Sequence, residues 1–276
     1  MDEIKIEKTA DGLYAARVGS SVYVMAPFNG SFRILSCYGK DDVSKLKLPD
    51  FYSYGDDVSG LDGFKAFLSD LAEHLKQAAA LGRYEAPSKI RTPWGQSEGA
   101  TVYVENGIYF HSTPGHGGFK VFAKLNREIP EPYRNADGWY EEDCEYAKVV
   151  ASLPAYFTDR EVRLAKKALV NYFPDEYEAV TGEVIPEGQS ISKDERLFKE
   201  RHASDWVVIA ASGKDDGTVH CWATLGGRRQ GWDSPEEVEE AEFIVPGDEY
   251  SKRPRFGFVI DPDRHERVGA PATPVL

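Results

Sequence analysis

The sequence of 276 residues contains only three cysteines, two methionines and no long apolar run. Cys37, Cys144 and Cys221 are too few and too widely spaced for a disulfide framework, which favours a reducing compartment. No charged segment followed by an apolar core opens the chain, and no apolar run reaches about 18 residues, the length needed to span a membrane. We therefore expect a soluble, cytoplasmic protein without a membrane partner.

Basic residues are scarce relative to acidic ones. Lys and Arg number 33 against 46 Asp and Glu, which gives a formal net charge of −13. A protein that binds nucleic acid through its phosphates needs a basic surface, so we predict no direct nucleic-acid partner. The charge is explained either by solubility alone or by an acidic surface that occupies a basic groove of a partner protein.

The familiar motifs for metals and nucleotides are missing as well. The sequence has no Cys-x-x-Cys, no His-Glu-x-x-His, no EF-hand loop and no Walker or dinucleotide fingerprint. We therefore predict no metal ion and no cofactor. The alternative that remains is a metal site in which one of the adjacent residues His220 and Cys221 is a ligand together with His111 or His116.

Strand-like segments separated by turn signals occupy the first 55 residues. EIKIEK, LYAARV, SVYVMA and SFRILSCY alternate with Asp-Gly, Gly-Ser and Asn-Gly turns, which favours an antiparallel meander. Between 59 and 84 the apolar period becomes helical, with Ser59 as a suitable N-cap and Gly82 as a suitable stop. The predicted apolar face comprises Leu61, Phe64, Phe67, Leu68, Leu71 and Leu75. We predict a small N-terminal domain, residues 1–84, that consists of a meander and one covering helix.

A polar stretch with a proline, 85–91, predicts a linker to a larger domain over 92–276. This domain opens with two alternating runs joined by Asn106 and Gly107, the strongest short hairpin signal. Helices are predicted over 137–153, 159–173, 174–182 and 190–204, and strands over WVVIAAS, VHCWATL, AEFIVP and FGFVID. Ser192 opens a capping-box pattern in the last helix. Because strands, helices and strands follow in blocks, we predict an α+β fold with an antiparallel sheet and three to four helices in the larger domain.

Several motifs of the larger domain occur in a recognisable order. They are TPWG (92–95), STPGHGGF (112–119), GWYEEDCEYA (138–147), KDERLFKERHASDWVVIAA (193–211), ATLGGRR (223–229), FIVPGDEY (243–250) and FGFVIDPDRH (256–265). Together they resemble an uncharacterised domain family, a domain of unknown function, that is encoded on plasmids and phages of proteobacteria. The resemblance covers roughly residues 90–265 and carries no assigned activity. It implies a setting, a mobile genetic element in a bacterial host cell, where accessory genes often counter host defences.

The loop STPGHGGFKV (112–121) is the first candidate site. Glycines expose backbone N–H groups and permit close approach of a ligand, so Gly115, Gly117 and Gly118 are candidate ligand-binding residues. His116 is a candidate acid–base group. The structural alternative is that the glycines form a tight turn and His116 fixes it through local hydrogen bonds.

The predicted helix over 137–153 supplies possible partners for His116. Glu141 and Cys144 are three residues apart and share a face of that helix. If the loop faces the helix, they would complete a thiol–imidazole–carboxylate set, with Glu141 or Glu142 orienting the imidazole. The alternative is that Cys144 is a small buried apolar residue.

Two further clusters are candidate binding surfaces. Aromatic residues stand beside acids in the segment 138–146, and such a mixture makes a usable recognition patch, although acids near a helix start are also favoured by the helix dipole. The predicted interaction residues are Trp139, Tyr140, Glu142, Asp143 and Glu145. Arg228 and Arg229, in a glycine-rich turn, would hold a phosphate or carboxylate, or else are solvated residues of a hairpin loop.

Three functional hypotheses follow. The first is a non-enzymatic accessory protein of a phage or plasmid, which binds a host protein of a defence or nucleic-acid-processing complex through acidic contacts. The second is a hydrolase or transferase that uses His116 with Cys144 and Glu141 on a small or nucleotide-like substrate. The third is a protein that sequesters a nucleotide or another ligand without turnover.

Overall fold

The structure is a computed structural model that describes residues 4–40, 42–229, 231 and 237–268. These residues form antiparallel sheets and α-helices, so the predicted α+β class is confirmed. The chain divides into two compact units, Met1–Leu169 and Val170–Leu276. The predicted domains 1–84 and 92–276 with the linker 85–91 stay a prediction. Within the described ranges, no helix has the length and apolarity to cross a bilayer.

The first sheet has five antiparallel strands in sequence order. They are β1 (Ile6–Lys8), β2 (Tyr14–Val18), β3 (Ser21–Phe28), β4 (Ser31–Tyr38) and β5 (Ser53–Val58). Strands β1–β4 form the predicted meander, and Asn29 and Gly30 take the positive φ angles, 45° and 77°, that a two-residue hairpin turn requires. The sequence does not indicate β5, because SYGDDV lacks apolar alternation; it becomes a strand by pairing with β4.

Both faces of the first sheet are covered. Helix α1 (Gly60–Ala80) covers one face, where Phe64 and Leu68 are fully buried in a cluster with Ile34. On the other face, short 3-10 turns at Val43–Lys45 and Leu48–Asp50 bring apolar side chains into a second cluster. The strand residues of this cluster alternate with those that face α1. The predicted helix is therefore present, because period-3.6 apolar residues find the face of a sheet to bury against.

A second sheet lies in the same unit and carries the candidate site. Its strands are β6 (Tyr84–Ala86), β9 (Gly99–Val104), β10 (Ile108–Ser112), β11 (Gly117–Val121) and β12 (Trp139–Glu141), while β7 (Arg91–Thr92) and β8 (Gly95–Gln96) form a separate two-stranded ribbon. The spatial order is β12-β11-β10-β9-β6, antiparallel throughout. The hairpin at Asn106 and Gly107 is confirmed, with Asn106 at φ 54°.

The helix predicted over 137–153 is wrong in its first part. After a one-turn helix, α2 (Ala123–Asn126), residues Trp139–Glu141 form β12, which pairs with β11 so that Phe119 lies opposite Tyr140. Only α3 (Tyr146–Ser152) is helical. Local helix propensity of an acidic run is a weak term, and the backbone bonds of β12 to β11 outweigh it. Glu141 and Cys144 consequently do not share a helical face.

The remaining elements confirm most of the predicted order. They are α4 (Asp159–Tyr172), α5 (Pro174–Thr181), α6 (Ile191–Arg201), β13 (Trp206–Gly213), β14 (Thr218–Leu225), β15 (Glu240–Pro246), α7 (Gly247–Tyr250) and β16 (Glu266–Arg267). In the second unit β13–β16 form one antiparallel sheet. Ser190 caps α6 by accepting a hydrogen bond from the Lys193 N–H at 3.3 Å, so Ser192 is not the cap. The predicted strand FGFVID is reduced to one bridge between Val207 and Val259.

Candidate functional site

The loop that carries His116 joins β10 to β11 and is closed by Thr113. The Thr113 N–H and hydroxyl both donate to the His116 carbonyl, at 2.8 and 2.6 Å. The Thr113 hydroxyl also accepts from the His116 N–H at 3.2 Å. The loop therefore satisfies its own backbone, and the imidazole, with 58% of the side chain exposed, is free to contact other groups.

Two of the three loop glycines are required by close packing inside the protein. A Cβ at Gly117 would lie 2.5 Å from Glu142 Oε2 and 2.8 Å from Phe110 Cζ. A Cβ at Gly118 would overlap the Trp94 ring and a backbone carbonyl oxygen of β12. Gly115 is exposed and has open space around it. Intramolecular contacts thus account for Gly117 and Gly118, and their predicted role in ligand binding stays a prediction, as does that of Gly115.

Glu141 is held by its own turn and faces His116. Glu141 Oε2 accepts hydrogen bonds from the N–H groups of Asp143, at 2.7 Å, and Cys144, at 3.3 Å. The other oxygen, Oε1, lies 3.9 Å from His116 Nδ1. Oε1 is buried and accepts no hydrogen bond from the described residues. The sequence-predicted pair of His116 and Glu141 is therefore brought together, because β11 and β12 place Gly118 opposite Glu141.

Cys144 lies in the turn that precedes α3 and is partly buried. Burial, followed by the nearby charges of Glu141, Asp143 and Glu145, raises the pKa of the Cys144 thiol. A thiolate is the nucleophilic form of cysteine, and activated cysteines occur in electropositive surroundings. The surroundings of Cys144 have the opposite charge, so they disfavour a thiolate there.

The predicted recognition patch separates into buried and accessible members. Tyr140 is completely buried; its hydroxyl donates to Asn126 Oδ1 at 2.7 Å and accepts from the Asn135 N–H at 3.0 Å. Glu145 Oε2 accepts from the Glu141 N–H at 3.2 Å, so it orders the turn. Trp139 stands edge-to-face against Trp94, with the ring centroids 5.8 Å apart. These three residues therefore stabilise the sheet end.

Glu142 and Asp143 instead border a cavity of about 460 Å³ on one side of the second sheet. Its walls are mainly aromatic: Tyr103, Phe110, Phe119, Tyr146 and Phe157, with Val150 and Glu161. Phe119 lies at the centre of edge-to-face contacts with Tyr103, Phe110 and Phe157, at centroid distances of 5.1, 5.3 and 5.8 Å. Side chains alternate between the two faces along β9, β10 and β11, so three of these rings lie on one face of the sheet. The alternation of residues in the sequence is sufficient to predict this shared face.

An ion pair beside this cavity is not visible in the sequence. Arg83 donates two hydrogen bonds of 2.7 Å to Glu161, and its guanidinium lies 4.0 Å from the Tyr103 ring centroid and 5.5 Å from that of Phe157. Arg83 thus neutralises Glu161. Among the described residues, no Lys or Arg forms an ion pair with Glu142 or Asp143.

Three side chains at the end of β12 have the donor atoms of a metal site. One ligand atom each from His116, Glu141 and Glu142 lies within 4.8 Å of the other two. The backbone helps to set this arrangement, because the Glu142 N–H donates to the Gly117 carbonyl at 3.1 Å. The consecutive acids are visible in the sequence, but their approach to His116 depends on the pairing of β11 with β12.

Arg228 and Arg229 belong to the second unit and are exposed. The Arg228 carbonyl accepts from the Thr224 hydroxyl at 2.7 Å, and Arg229 Nη2 donates to the Ile209 carbonyl at 2.7 Å. Gly226 and Gly227 both have φ 68°, so two consecutive residues of the turn adopt the left-handed conformation that glycine favours. A role for the two arginines in holding an anion stays a prediction.

Part of the chain matches a known family model. Residues 87–203 match the model of a family described as a domain of unknown function (DUF7007). The match includes the His116 loop and the segment with Glu141 and Glu142, and it supports similarity to an uncharacterised domain family. It ends before residues 204–265, to which the resemblance of the sequence motifs extends. No curated protein matches the chain, and neither does any solved structure.

Proposed function

We propose that this protein is a non-enzymatic binding factor whose aromatic cavity receives a cationic side chain of a partner protein. The observation that carries the proposal is the cavity of about 460 Å³, walled by aromatic rings and bordered by Glu142 and Asp143. Aromatic faces attract ammonium and guanidinium groups, most strongly where water is excluded. Glu142 and Asp143, which form no ion pair with a Lys or Arg in the part of the chain that the structure describes, add a charge that an arginine or lysine would neutralise.

Arg83 supports the choice of a cation. Its guanidinium already lies 4.0 Å from the centroid of Tyr103, one wall of the cavity. The same rings therefore tolerate a guanidinium at close range inside the folded chain. The third acid that lines the cavity, Glu161, is neutralised by Arg83, so the charge left to attract a ligand is that of Glu142 and Asp143.

The partner we propose is a basic host protein of a defence or nucleic-acid-processing complex, and the setting is a phage or plasmid in a bacterial cell. The net charge of −13 disfavours nucleic acid as the ligand and favours the basic surfaces that bind nucleic acid. An acidic factor that occupies such a surface competes with the nucleic acid for it.

A direct test uses a short arginine-containing peptide and the same peptide with citrulline in place of arginine. Citrulline keeps the shape of the side chain and removes its charge. We expect saturable binding of the arginine peptide by calorimetry, and binding at least about 10-fold weaker with citrulline or with the Glu142→Gln/Asp143→Asn variant, since each charge-assisted contact contributes about 1.5–3 kcal/mol.

The matched control is Glu128→Gln, which removes one charge from an exposed position outside the cavity and leaves binding unchanged. Equal affinity for the arginine and citrulline peptides would rule out the cation pocket. In cells, a host protein that copurifies with the wild-type chain is expected to be lost from the Glu142→Gln/Asp143→Asn variant and retained by Glu128→Gln. A captured protein retained equally by both variants would contradict the proposal.

A second candidate is a hydrolase or transferase in which His116 acts as the acid–base group. The approach of His116 Nδ1 to Glu141 Oε1, 3.9 Å, favours it, since a carboxylate beside an imidazole orients the ring. The raised pKa of Cys144 disfavours covalent catalysis by this residue, because it lowers the fraction of the nucleophilic thiolate. This candidate requires turnover of a small or nucleotide-like substrate that His116→Ala abolishes and Cys144→Ala preserves.

A further inference from the structure

The side chains of His116, Glu141 and Glu142 converge at the end of β12, and we propose that they bind a divalent transition-metal ion. One ligand atom from each lies within 4.8 Å of the other two. Metal bonds to imidazole nitrogen and carboxylate oxygen are about 2.0–2.2 Å long, so two ligands of one ion are at most about 4.4 Å apart. The separation of 3.9 Å between His116 Nδ1 and Glu141 Oε1 already satisfies that limit.

The remaining adjustment is small, and His116 is the most exposed of the three side chains. The ligand atoms lie within 4.8 Å of one another, so the most distant pair needs to close by only about 0.4 Å to reach the limit set by the bond lengths. His116 is 58% exposed, and an exposed side chain changes rotamer without repacking the core. A rotation of the His116 side chain therefore adjusts its distances to both glutamates without repacking the core.

Glu141 provides an independent indication of a missing partner. Its Oε2 is fixed by two backbone N–H groups, those of Asp143 and Cys144. Its Oε1 is buried and has no hydrogen-bond donor among the described residues. A buried carboxylate oxygen without a donor is costly. Because the carboxylate is held by Oε2, Oε1 is directed at the side of the turn where His116 lies, and a cation there would satisfy it.

The backbone positions the ligands before any ion binds. Thr113 closes the loop that presents His116. Pairing of β11 with β12 and the hydrogen bond from the Glu142 N–H to the Gly117 carbonyl, 3.1 Å, fix the two glutamates relative to that loop. Gly117 leaves the space that Glu142 Oε2 occupies, since a Cβ there would be 2.5 Å away. Glu141 lies on β12, and a ligand on a rigid strand loses little entropy on binding.

Charge and donor type indicate the class of ion. Two carboxylates lie together and, within the described ranges, no Lys or Arg forms an ion pair with either of them. A divalent cation neutralises that charge. One imidazole nitrogen with two carboxylate oxygens suits zinc or manganese rather than a soft ion. Three protein ligands leave a coordination position open to water or to a ligand, as in sites that are not purely structural.

Cys144 is not part of this donor set. It lies close in sequence, but among the described residues the ligand atoms that lie within 4.8 Å of one another belong to His116, Glu141 and Glu142, and the Cys144 Sγ is not one of them. The proposal therefore commits to nitrogen and oxygen ligands, and Cys144 serves as a control.

The test is calorimetric titration of the full-length, chelator-treated chain with zinc chloride and, separately, manganese chloride. We expect one equivalent of ion per chain and a rise in melting temperature that grows with ion concentration. His116→Gln and Glu141→Gln are each expected to weaken binding at least about 100-fold, since even outer contacts of a metal site contribute about 10–100-fold. Circular dichroism checks that both variants are folded.

Two controls separate this site from other sources of metal binding. His202→Gln removes a histidine of the second unit, and Cys144→Ala removes the neighbouring thiol; both are expected to bind the ion as the wild type does. Cobalt substitution gives a second readout, because its visible spectrum reports nitrogen and oxygen ligation without the intense thiolate band. No binding of either ion at millimolar concentration, or binding lost in Cys144→Ala and kept in His116→Gln, overturns the proposal.

The metal site and the cation pocket share Glu142 and are distinguished by their other residues. His116→Gln is expected to weaken metal binding at least about 100-fold and to leave arginine-peptide binding intact. Asp143→Asn is expected to weaken the peptide and to retain the ion. Failure of one proposal is therefore visible without failure of the other, and loss of both activities in both variants would contradict the metal proposal as a separate site.

Discussion

The guanidinium of Arg83 and the carboxylate of Glu161 meet through two parallel hydrogen bonds of 2.7 Å, although 78 positions separate them in the sequence. Both side chains are largely buried, with exposures of 12% and 23%. Arg83 also donates to the Tyr156 carbonyl at 3.0 Å and lies over the Tyr103 ring. One residue thus connects the segment before β6 to the start of α4 and to the wall of the cavity.

Glu161→Gln is expected to lower the free energy of unfolding by about 3 kcal/mol, because it leaves a buried guanidinium without its counter-charge. Burial raises the pKa of Glu161, but hydrogen bonds from Arg83 and the Thr158 N–H outweigh it, so the pKa is lowered overall. This contribution is therefore present above the unfolded-state pKa and is lost as the pH falls through the folded-state value.

Urea unfolding at neutral and acidic pH measures both effects, and the difference between wild type and Glu161→Gln is expected to shrink in acid. The matched control is Asp175→Asn, which breaks the exposed pair of Asp175 with Arg196 and is expected to cost less than about 1 kcal/mol. An equal loss in both variants would contradict the importance of burial.

Gly118→Ala is expected to destabilise the protein by about 3 kcal/mol or to prevent folding. The added methyl group would clash with an aromatic ring and a backbone carbonyl oxygen, and neither is able to move away at low cost. The new Cβ would overlap Trp94 and the Tyr140 carbonyl. Gly115→Ala, in the same loop region but in open space, is the control and is expected to change the melting temperature little. Thermal unfolding followed by circular dichroism compares them, and a tolerated Gly118→Ala would refute the packing described for β11.

Alkylation kinetics are expected to rank Cys144 and Cys221 by their thiol pKa values. Burial raises the pKa of Cys221 to about 11, and burial together with Glu141, Asp143 and Glu145 raises that of Cys144. Since the thiolate is the reactive form, iodoacetamide at pH 7.5 is expected to modify Cys144 more slowly than a free cysteine and Cys221 hardly at all. Asp143→Asn removes one repelling charge and is expected to speed Cys144; mass spectrometry of tryptic peptides gives the rates. A Cys144 that reacts faster than free cysteine would restore the nucleophile hypothesis.

His111 is expected to make stability depend on pH near and below neutrality. Its ring is buried in β10, where Nδ1 lies 3.2 Å from the Ser97 hydroxyl oxygen and 3.3 Å from that of Ser88. Burial, followed by the charge of Lys120, lowers the pKa of His111. The unfolded chain then binds the proton more readily, so stability falls as the pH drops below the ordinary histidine value of 6.5 towards the folded-state value. Proton NMR of the imidazole, with Lys120→Gln to remove the charge, checks the direction; a raised pKa would contradict it.

The parts of the fold that follow from local signals were open to prediction. Asn106 takes a positive φ of 54° in the turn of the β9–β10 hairpin, a conformation that asparagine adopts more readily than most residues. Helix α1 follows from apolar residues at helical spacing. In each case a few neighbouring residues determine the local conformation, and the tertiary contacts stabilise that same conformation.

The candidate site depends on contacts between residues that are distant in the sequence. Patterns of neighbouring residues do not predict such contacts. The acidic run after Trp139 has a helical composition, yet β12 forms because β11, some 20 positions earlier, offers an unpaired edge. That pairing, not the spacing of Glu141 and Cys144, determines which groups meet His116. The same holds for Arg83 and Glu161, whose pairing no periodicity indicates.

Strand β6 has a practical consequence for work on isolated fragments. The family match begins at residue 87, after β6 (Tyr84–Ala86), which covers the edge of β9 through the pairs Tyr84–Val102 and Ala86–Ala100. A recombinant fragment cut at the homology boundary would expose the edge of β9 to pairing between molecules and leave Glu161 without Arg83. The contacts that complete the second sheet and the ion pair therefore begin before the stretch recognised by sequence similarity, and we expect a soluble fragment to need a start before Arg83.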